Sequence, residues 1–313
     1  MKIKMKADLK NKKICDAFDE FILNCRVRNL SKHTLTYYEE GYKSFINFYD
    51  EKNLISSINK STINDYIIHL SSNSNMNTTS LNTRLRSLRG FLYYCMKLEY
   101  IPSFTIEILK CEKKIKETYT DAELKLLLEK PNLKKCSFTT YRNWVLINYL
   151  ISTGNRLSSI INIKIEDLDF ENATIALKVT KNRKQQIIPM SKTLTKILLE
   201  YLQYRKGEPS DYLFCSQTGT KFTKTGFEHT IRQYNFSRGI TKTSVHLFRH
   251  TFAKKWILSG GDIFRLQKLL GHSSIDIVKE YVNMFSDDLK KDFDTFNPLE
   301  QLSDKRTKLT LKK

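Results

Sequence analysis

Ile175-Ala-Leu-Lys-Val-Thr-Lys-Asn-Arg-Lys-Gln-Gln-Ile-Ile-Pro189 is the stretch on which the fold class turns. Ile175, Leu177 and Val179 alternate with their neighbours in the period-2 pattern of a strand that buries one face, and residues 185–189 read as a second strand. The polar residues from Thr180 to Lys184 supply the turn between them, so the stretch predicts an antiparallel hairpin. It is the one convincing sheet, because the spacing on both sides is helical. Upstream, Ser31 precedes apolar and aromatic positions at Leu35, Tyr38, Tyr42, Phe45, Ile46 and Tyr49, a helix with a hydroxyl N-cap. A second helix runs from Ser61 through Leu70. A third follows the polar run at residues 71–80, carries Arg84, Arg86 and Arg89 near its start, and is predicted to end at Tyr100-Ile-Pro-Ser103, where proline breaks the hydrogen-bond ladder. Downstream, helical patterns resume at Ser191 and dominate. The fold class is therefore mainly α with a small antiparallel β-sheet.

The 313 residues suit two domains, each large enough to bury a core. The run from Cys111 to Tyr119 is charged and aperiodic, and Thr120-Asp-Ala-Glu123 has capping-box spacing for a new helix. These signals divide the chain into a helical domain at residues 10–110, a linker at 111–119, a second domain at 120–302 and a basic tail at 303–313. Lys and Arg number 53 against 33 Asp and Glu, a net charge of +20 that points to an acidic polymer as partner. The longest apolar run, Val145 to Ile151, is too short for a bilayer and is interrupted by Asn148, and no secretory signal follows the basic start, so a cytoplasmic protein is expected. The six cysteines show no zinc or disulfide spacing and read as reduced core thiols; neither metal nor cofactor is expected.

Four short strings carry chemistry: Thr153-Gly-Asn-Arg156, the hairpin with Lys181, His246-Leu-Phe-Arg249-His250, and Leu270-Gly-His272 with Tyr281 nine residues after that histidine. Arg156 and Arg249 each offer a planar, permanently charged fork to phosphate oxygens. His246 stands three residues before Arg249, one helical turn, so both side chains reach one ligand. His250 is expected on another face, to pack or cap. Lys178, Arg183 and Lys184 compete with Lys181 as the cation of the turn. Tyr281 shares an apolar helical stripe with Ile277, Val278 and Val282, and sixteen tyrosines leave periodicity alone no way to choose among them.

In this order and spacing the strings resemble the tyrosine recombinases, the phage-integrase-like site-specific recombinases. The resemblance is detailed from about Thr120 to Tyr281 and general before it. It implies a DNA-binding helical first domain and a catalytic second domain. It implies that Arg156 and Arg249 stabilise the charge on the scissile phosphate, and that Lys181 protonates the 5′-hydroxyl leaving group. It further implies that His246 contacts the phosphate and accepts the nucleophile's proton, that His272 donates to the phosphate, and that Tyr281 forms a 3′-phosphotyrosyl link. The link stores the bond energy, so neither ATP nor metal is needed. The implied partners are double-stranded DNA with paired recombination sites and three further copies of the chain in a tetramer that works through a Holliday junction. Arg84, Arg86 and Arg89 are candidate phosphate contacts of the first domain.

One position departs from the family pattern: Ser159 stands three residues after Arg156, where many members carry an acidic residue that orients the catalytic groups. Two other readings share the charge and the fold, a non-catalytic DNA-binding regulator and a type IB topoisomerase-like relaxing enzyme. Leu289, Phe293 and Phe296 form a helical stripe expected to dock on a neighbouring subunit or on its own domain.

Overall fold

The computed structural model describes residues 12–73, 76–111, 116–180, 185–272, 274–284 and 299. The chain divides into two compact units, residues 1–114 and 115–313. The described residues of the first form four α-helices, α1 (Ile14–Val27), α2 (Lys32–Ile46), α3 (Lys60–Asn73) and α4 (Thr78–Lys97). Ser31 caps α2 by accepting from the Thr34 amide, as its position predicts. Aromatic rings form much of the core, with Phe18 stacked on Tyr42 at 3.8 Å and Phe91 edge-on to Phe18 at 5.3 Å. α4 stops three residues earlier than the proline signal suggests. Glu99 adopts φ 60°, and the Glu99 and Tyr100 amides return to the carbonyls of Met96 and Cys95, so a left-handed residue closes the helix before Pro102 is reached.

The second unit opens with α5 (Asp121–Leu128), whose Thr120–Glu123 capping box is fully formed. α6 (Phe138–Thr153) is buried on nearly every side, from Tyr141 to Leu150, and the apolar run noted in the sequence is thus a central core helix. After the short α7 (Leu157–Ile160) come β1 (Leu168–Asp169), β2 (Thr174–Leu177) and β3 (Gln186–Pro189), an antiparallel sheet in that order, with Ile175 opposite Ile188 and Leu177 opposite Gln186. The predicted hairpin is present, but β2 ends at Leu177 and Val179 is 51% exposed. β1, two residues long, has no sequence pattern of its own. Four helices flank α6 or follow it: α8 (Lys192–Arg205, capped by Ser191), α9 (Lys224–Ser237), α10 (Val245–Leu258) and α11 (Ile263–Leu270), and α12 (Asp276–Met284) is the last described.

No described helix is long and apolar enough to cross a membrane. Of the six cysteines, Cys25, Cys95 and Cys215 are buried, while Cys15 and Cys136 are half-buried and Cys111 is exposed, so only three are core thiols. Leu289, Phe293 and Phe296 lie outside the described residues.

Candidate phosphodiester site

The site is assembled around the carboxyl end of α11. Gly271 closes that helix at φ 60°, and the amides of Gly271 and His272 return to the carbonyls of Lys268 and Gln267 at 2.9 and 3.0 Å. The other carbonyls of the last turn, the negative end of the helix dipole, are taken by side chains from distant segments. Gln186 on β3 donates to Lys268 and, at 3.0 Å, to Leu269. Arg156 Nη1 donates to Leu270 at 3.1 Å and Gly271 at 3.0 Å, and Arg249 Nη2 donates to Leu270 at 2.8 Å. One carbonyl oxygen therefore holds two guanidiniums.

The glycine break predicted at residues 153–156 delivers these groups. Gly154 ends α6 at φ 60°, a conformation a side chain would strain, and a Cβ there would stand 2.6 Å from the Phe252 ring. Its carbonyl accepts from Arg249 Nη1 at 2.9 Å, and two residues later Arg156 stands at the N-cap of α7.

Among the described residues neither guanidinium meets a carboxylate. Burial pushes the Arg249 guanidinium down to about 10, with Arg156 adding to the effect, and burial also lowers Arg156. Two like charges on one oxygen repel, and an anion would relieve both. His272 is buried beside them, its Nε2 in contact with Arg249 Nη2. A guanidinium only donates, so Nε2 accepts and the neutral ring carries its proton on Nδ1. That buried Nδ1 has no hydrogen-bond partner among the described residues. Burial, then Arg249 and Arg156, push the imidazole down to about 3 and keep it neutral at pH 7. Arg156, Ser159, Gln186, Gly271 and His272 line a cavity of about 400 Å³.

Tyr281 on α12 is 2% exposed, its ring parallel to that of His272 with centroids 6.4 Å apart. Its hydroxyl lies 2.8 Å from His250 Nδ1. Burial raises its pKa, against the opposing pull of Arg249 and Arg156. Lys116 Nζ stands 4.9 Å from the ring centroid and pairs with Glu280 at 3.2 Å. His246 occupies the first turn of α10 and is exposed; partial desolvation and then Arg249 lower its pKa.

Of the six predicted residues, Arg156, Arg249, His272 and Tyr281 form one connected cluster, and His246 shares α10 with Arg249. Lys181, Arg183 and Lys184 lie outside the described residues. Their competitor Lys178 is engaged by Asp167 at 2.6 Å and Glu166 at 3.3 Å. In the first unit Arg84 pairs with Glu40 at 3.3 Å, Arg86 is exposed, and Arg89 lies 5.9 Å from the Tyr93 ring centroid. His250 corrects the sequence reading. It follows His246 by four residues, a spacing that keeps the two on neighbouring sides of α10, and it meets Tyr281 where packing or capping is expected. Lys116 and Gln186 had no signal, since one lies in an aperiodic charged run and the other within an ordinary strand pattern.

Among the described residues two guanidiniums without counter-ions and a buried N–H lacking an acceptor stand near a tyrosine hydroxyl, an arrangement suited to holding an anionic phosphodiester. Comparison with known proteins agrees. Residues 117–287 match the phage integrase family, and residues 18–101 match the phage integrase N-terminal SAM-like domain. A tyrosine recombinase of Pseudothermotoga lettingae is 29% identical over 295 residues, spanning 92% of this chain and 99% of its own. Tyrosine recombinase XerD of Staphylococcus epidermidis is 27% identical, spanning 87% of this chain and 94% of its own. The Tn1549 transposon integrase, solved in complex with transposon right end DNA, shares the fold with a TM-score of 0.73 at 21% identity, over 86% of this chain and 94% of that one. The chain belongs to the phage integrase family, the tyrosine recombinases, whose members are DNA strand-transferring enzymes. It is a site-specific DNA recombinase.

Proposed function

We propose that the chain cleaves and rejoins DNA at paired recombination sites with Tyr281 as nucleophile. The phenol oxygen attacks the scissile phosphorus to form a 3′-phosphotyrosyl link, and the 5′-hydroxyl departs with a proton from Lys181. Arg156 and Arg249 take the charge that develops on the non-bridging oxygens, and His272 Nδ1–H supplies a further donor. His246, exposed on α10, reaches the phosphate as it enters. Exchange of the free 5′-ends between two duplexes produces a Holliday junction, a reaction suited to a homotetramer with two protomers on each site. The +20 charge supports a DNA partner, with Arg84, Arg86 and Arg89 as phosphate contacts of the first unit. A cytoplasmic protein of a mobile element, or one that resolves joined replicons, fits this chemistry.

The observation that carries the reading is the pair of guanidiniums held by neutral carbonyls beside a buried tyrosine. Both forks are positioned, and neither meets a carboxylate among the described residues. Duplexes selected from a random library by the full-length protein supply the binding site, and versions nicked at each step across it serve as suicide substrates. Wild type is expected to become covalently attached to one of them, and Tyr281→Phe to bind it equally and form no adduct. Binding without any attachment by wild type would identify a DNA-binding regulator.

A further inference from the structure

We propose that His250 is a catalytic residue, accepting the phenol proton of Tyr281 on Nδ1 as that oxygen attacks phosphorus. The inference rests on Tyr281 as the nucleophile and adds the base that serves it.

The geometry favours His250 over the exposed His246. His250 Nδ1 lies 2.8 Å from the hydroxyl oxygen, a hydrogen-bond distance at which the phenol is the donor when the ring carries its proton on Nε2. The ring is set by its place on α10, whose buried face includes Phe248, Arg249 and Thr251, and Thr251 accepts from the Tyr119 amide at 2.9 Å. Tyr281 is enclosed by His272 on one side and Lys116 nearby, so bulk water has little access to its hydroxyl. A proton leaving this phenol needs an acceptor within the protein, and His250 is in contact with the oxygen.

The groups that face His250 explain why it waits for substrate. Arg249 and His246 stand on its own helix, Lys116 with its partner Glu280 lies over the Tyr281 ring, and His272 follows α11. Burial, then Lys116, His246 and Arg249, push His250 down to about 4, so the ring is neutral and able to accept. The same cations make it a poor base in the free protein. A bound phosphodiester, and still more the doubly charged transition state, offsets their field and raises the basicity of Nδ1 when the proton must leave. The balance closes: the Tyr281 oxygen–phosphorus bond forms, the bond from phosphorus to the 5′-oxygen breaks, the phenol proton passes to His250, and the acid assigned to Lys181 protonates the 5′-oxygen. Ligation runs the transfers backwards.

Single-turnover cleavage of the nicked duplex by full-length protein tests the role through two variants of His250. In His250→Asn the amide oxygen takes the place of Nδ1 and keeps the hydrogen bond without accepting the proton. His250→Ala removes both. Each is expected to bind DNA as wild type does, to cleave at least ~100-fold more slowly at pH 7, and to recover roughly tenfold per pH unit toward pH 9.5, as the phenol ionises unaided. Free imidazole should restore part of the Ala variant's rate saturably. If His250→Asn cleaves within about threefold of wild type, the hydrogen bond alone suffices and the proposal fails. A slow rate in His250→Ala that neither alkali nor imidazole raises would equally overturn it, as a structural defect. Tyr281→Phe run alongside separates these outcomes from failure of the nucleophile assignment, since an adduct formed by the Phe variant contradicts the latter.

Discussion

Arg142 and Arg249 are both buried guanidiniums of the second unit, and neither meets a carboxylate among the described residues. Arg142, on α6, donates to the Cys215 carbonyl at 2.7 Å and to its neighbour Asn143, and lies 4.8 Å from the Phe222 ring centroid. Its charge is met by a carbonyl, an amide oxygen and a π-face, all within the core. Arg249 donates to two backbone carbonyls, but the second of these also holds Arg156, and the adjoining His272 has a donor without an acceptor among the described residues. An unpaired buried cation is structural where its surroundings complete its solvation. Where a second cation is fixed beside it, the surroundings are complete only with an anion present.

Arg249→Lys should break the site while leaving the core largely intact. A point ammonium cannot hold Gly154 and Leu270 and also face phosphate, so cleavage should fall about 10²- to 10³-fold with DNA affinity changed little. Cleavage at the wild-type rate would place Arg249 in the same class as Arg142. The converse variant, Arg142→Met, leaves the Cys215 carbonyl and the Asn143 side chain without their donor. It should cost about 2–4 kcal/mol of stability, measured by denaturant unfolding, while the folded fraction cleaves as wild type does.

Acid separates the two regions by a smaller margin. His250 and His272 are held at about 4 and about 3, below their unfolded value near 6.5. Between those limits the unfolded chain binds more protons than the folded one, so stability is full above about pH 6.5 and declines as pH falls toward the folded values. The expected slope is about 1 kcal/mol per pH unit for each histidine, read from unfolding midpoints at pH 7, 6 and 5. His272→Gln should flatten it, whereas Arg142→Met should shift the whole curve without changing its slope. An unchanged slope in His272→Gln would show that the ring is not kept neutral by this pocket.

Local chemistry was legible in the sequence, and tertiary convergence was less so. The caps at Ser31 and Thr120 read correctly because each is decided within four residues. The hairpin was visible because β2 and β3 bury alternate residues, but Val179 continues that alternation beyond the end of the pairing. The end of α4 misled because a left-handed glutamate, which has no compositional signature, acts before the proline does. In the site, the one-turn spacing of His246 and Arg249 and the glycine break at 154 were readable. The common anchor of Arg156, Arg249 and Gln186 on the end of α11 was not, since three segments far apart in sequence meet there only after folding. His250 was within reach of the same periodicity that selected His246, and the expectation that it packs or caps took no account of the partner α12 brings to it.

The central claim is that the charge stored at the end of α11 serves one hydroxyl among sixteen tyrosines. The direct measurement is to trap wild-type protein on the nicked duplex, digest both polymers, and locate by mass spectrometry the peptide that carries the residual deoxynucleotide. The account predicts a single adduct, on Tyr281. An adduct on any other tyrosine or on a serine, or a trapped complex in which Tyr281 is recovered unmodified, would contradict it.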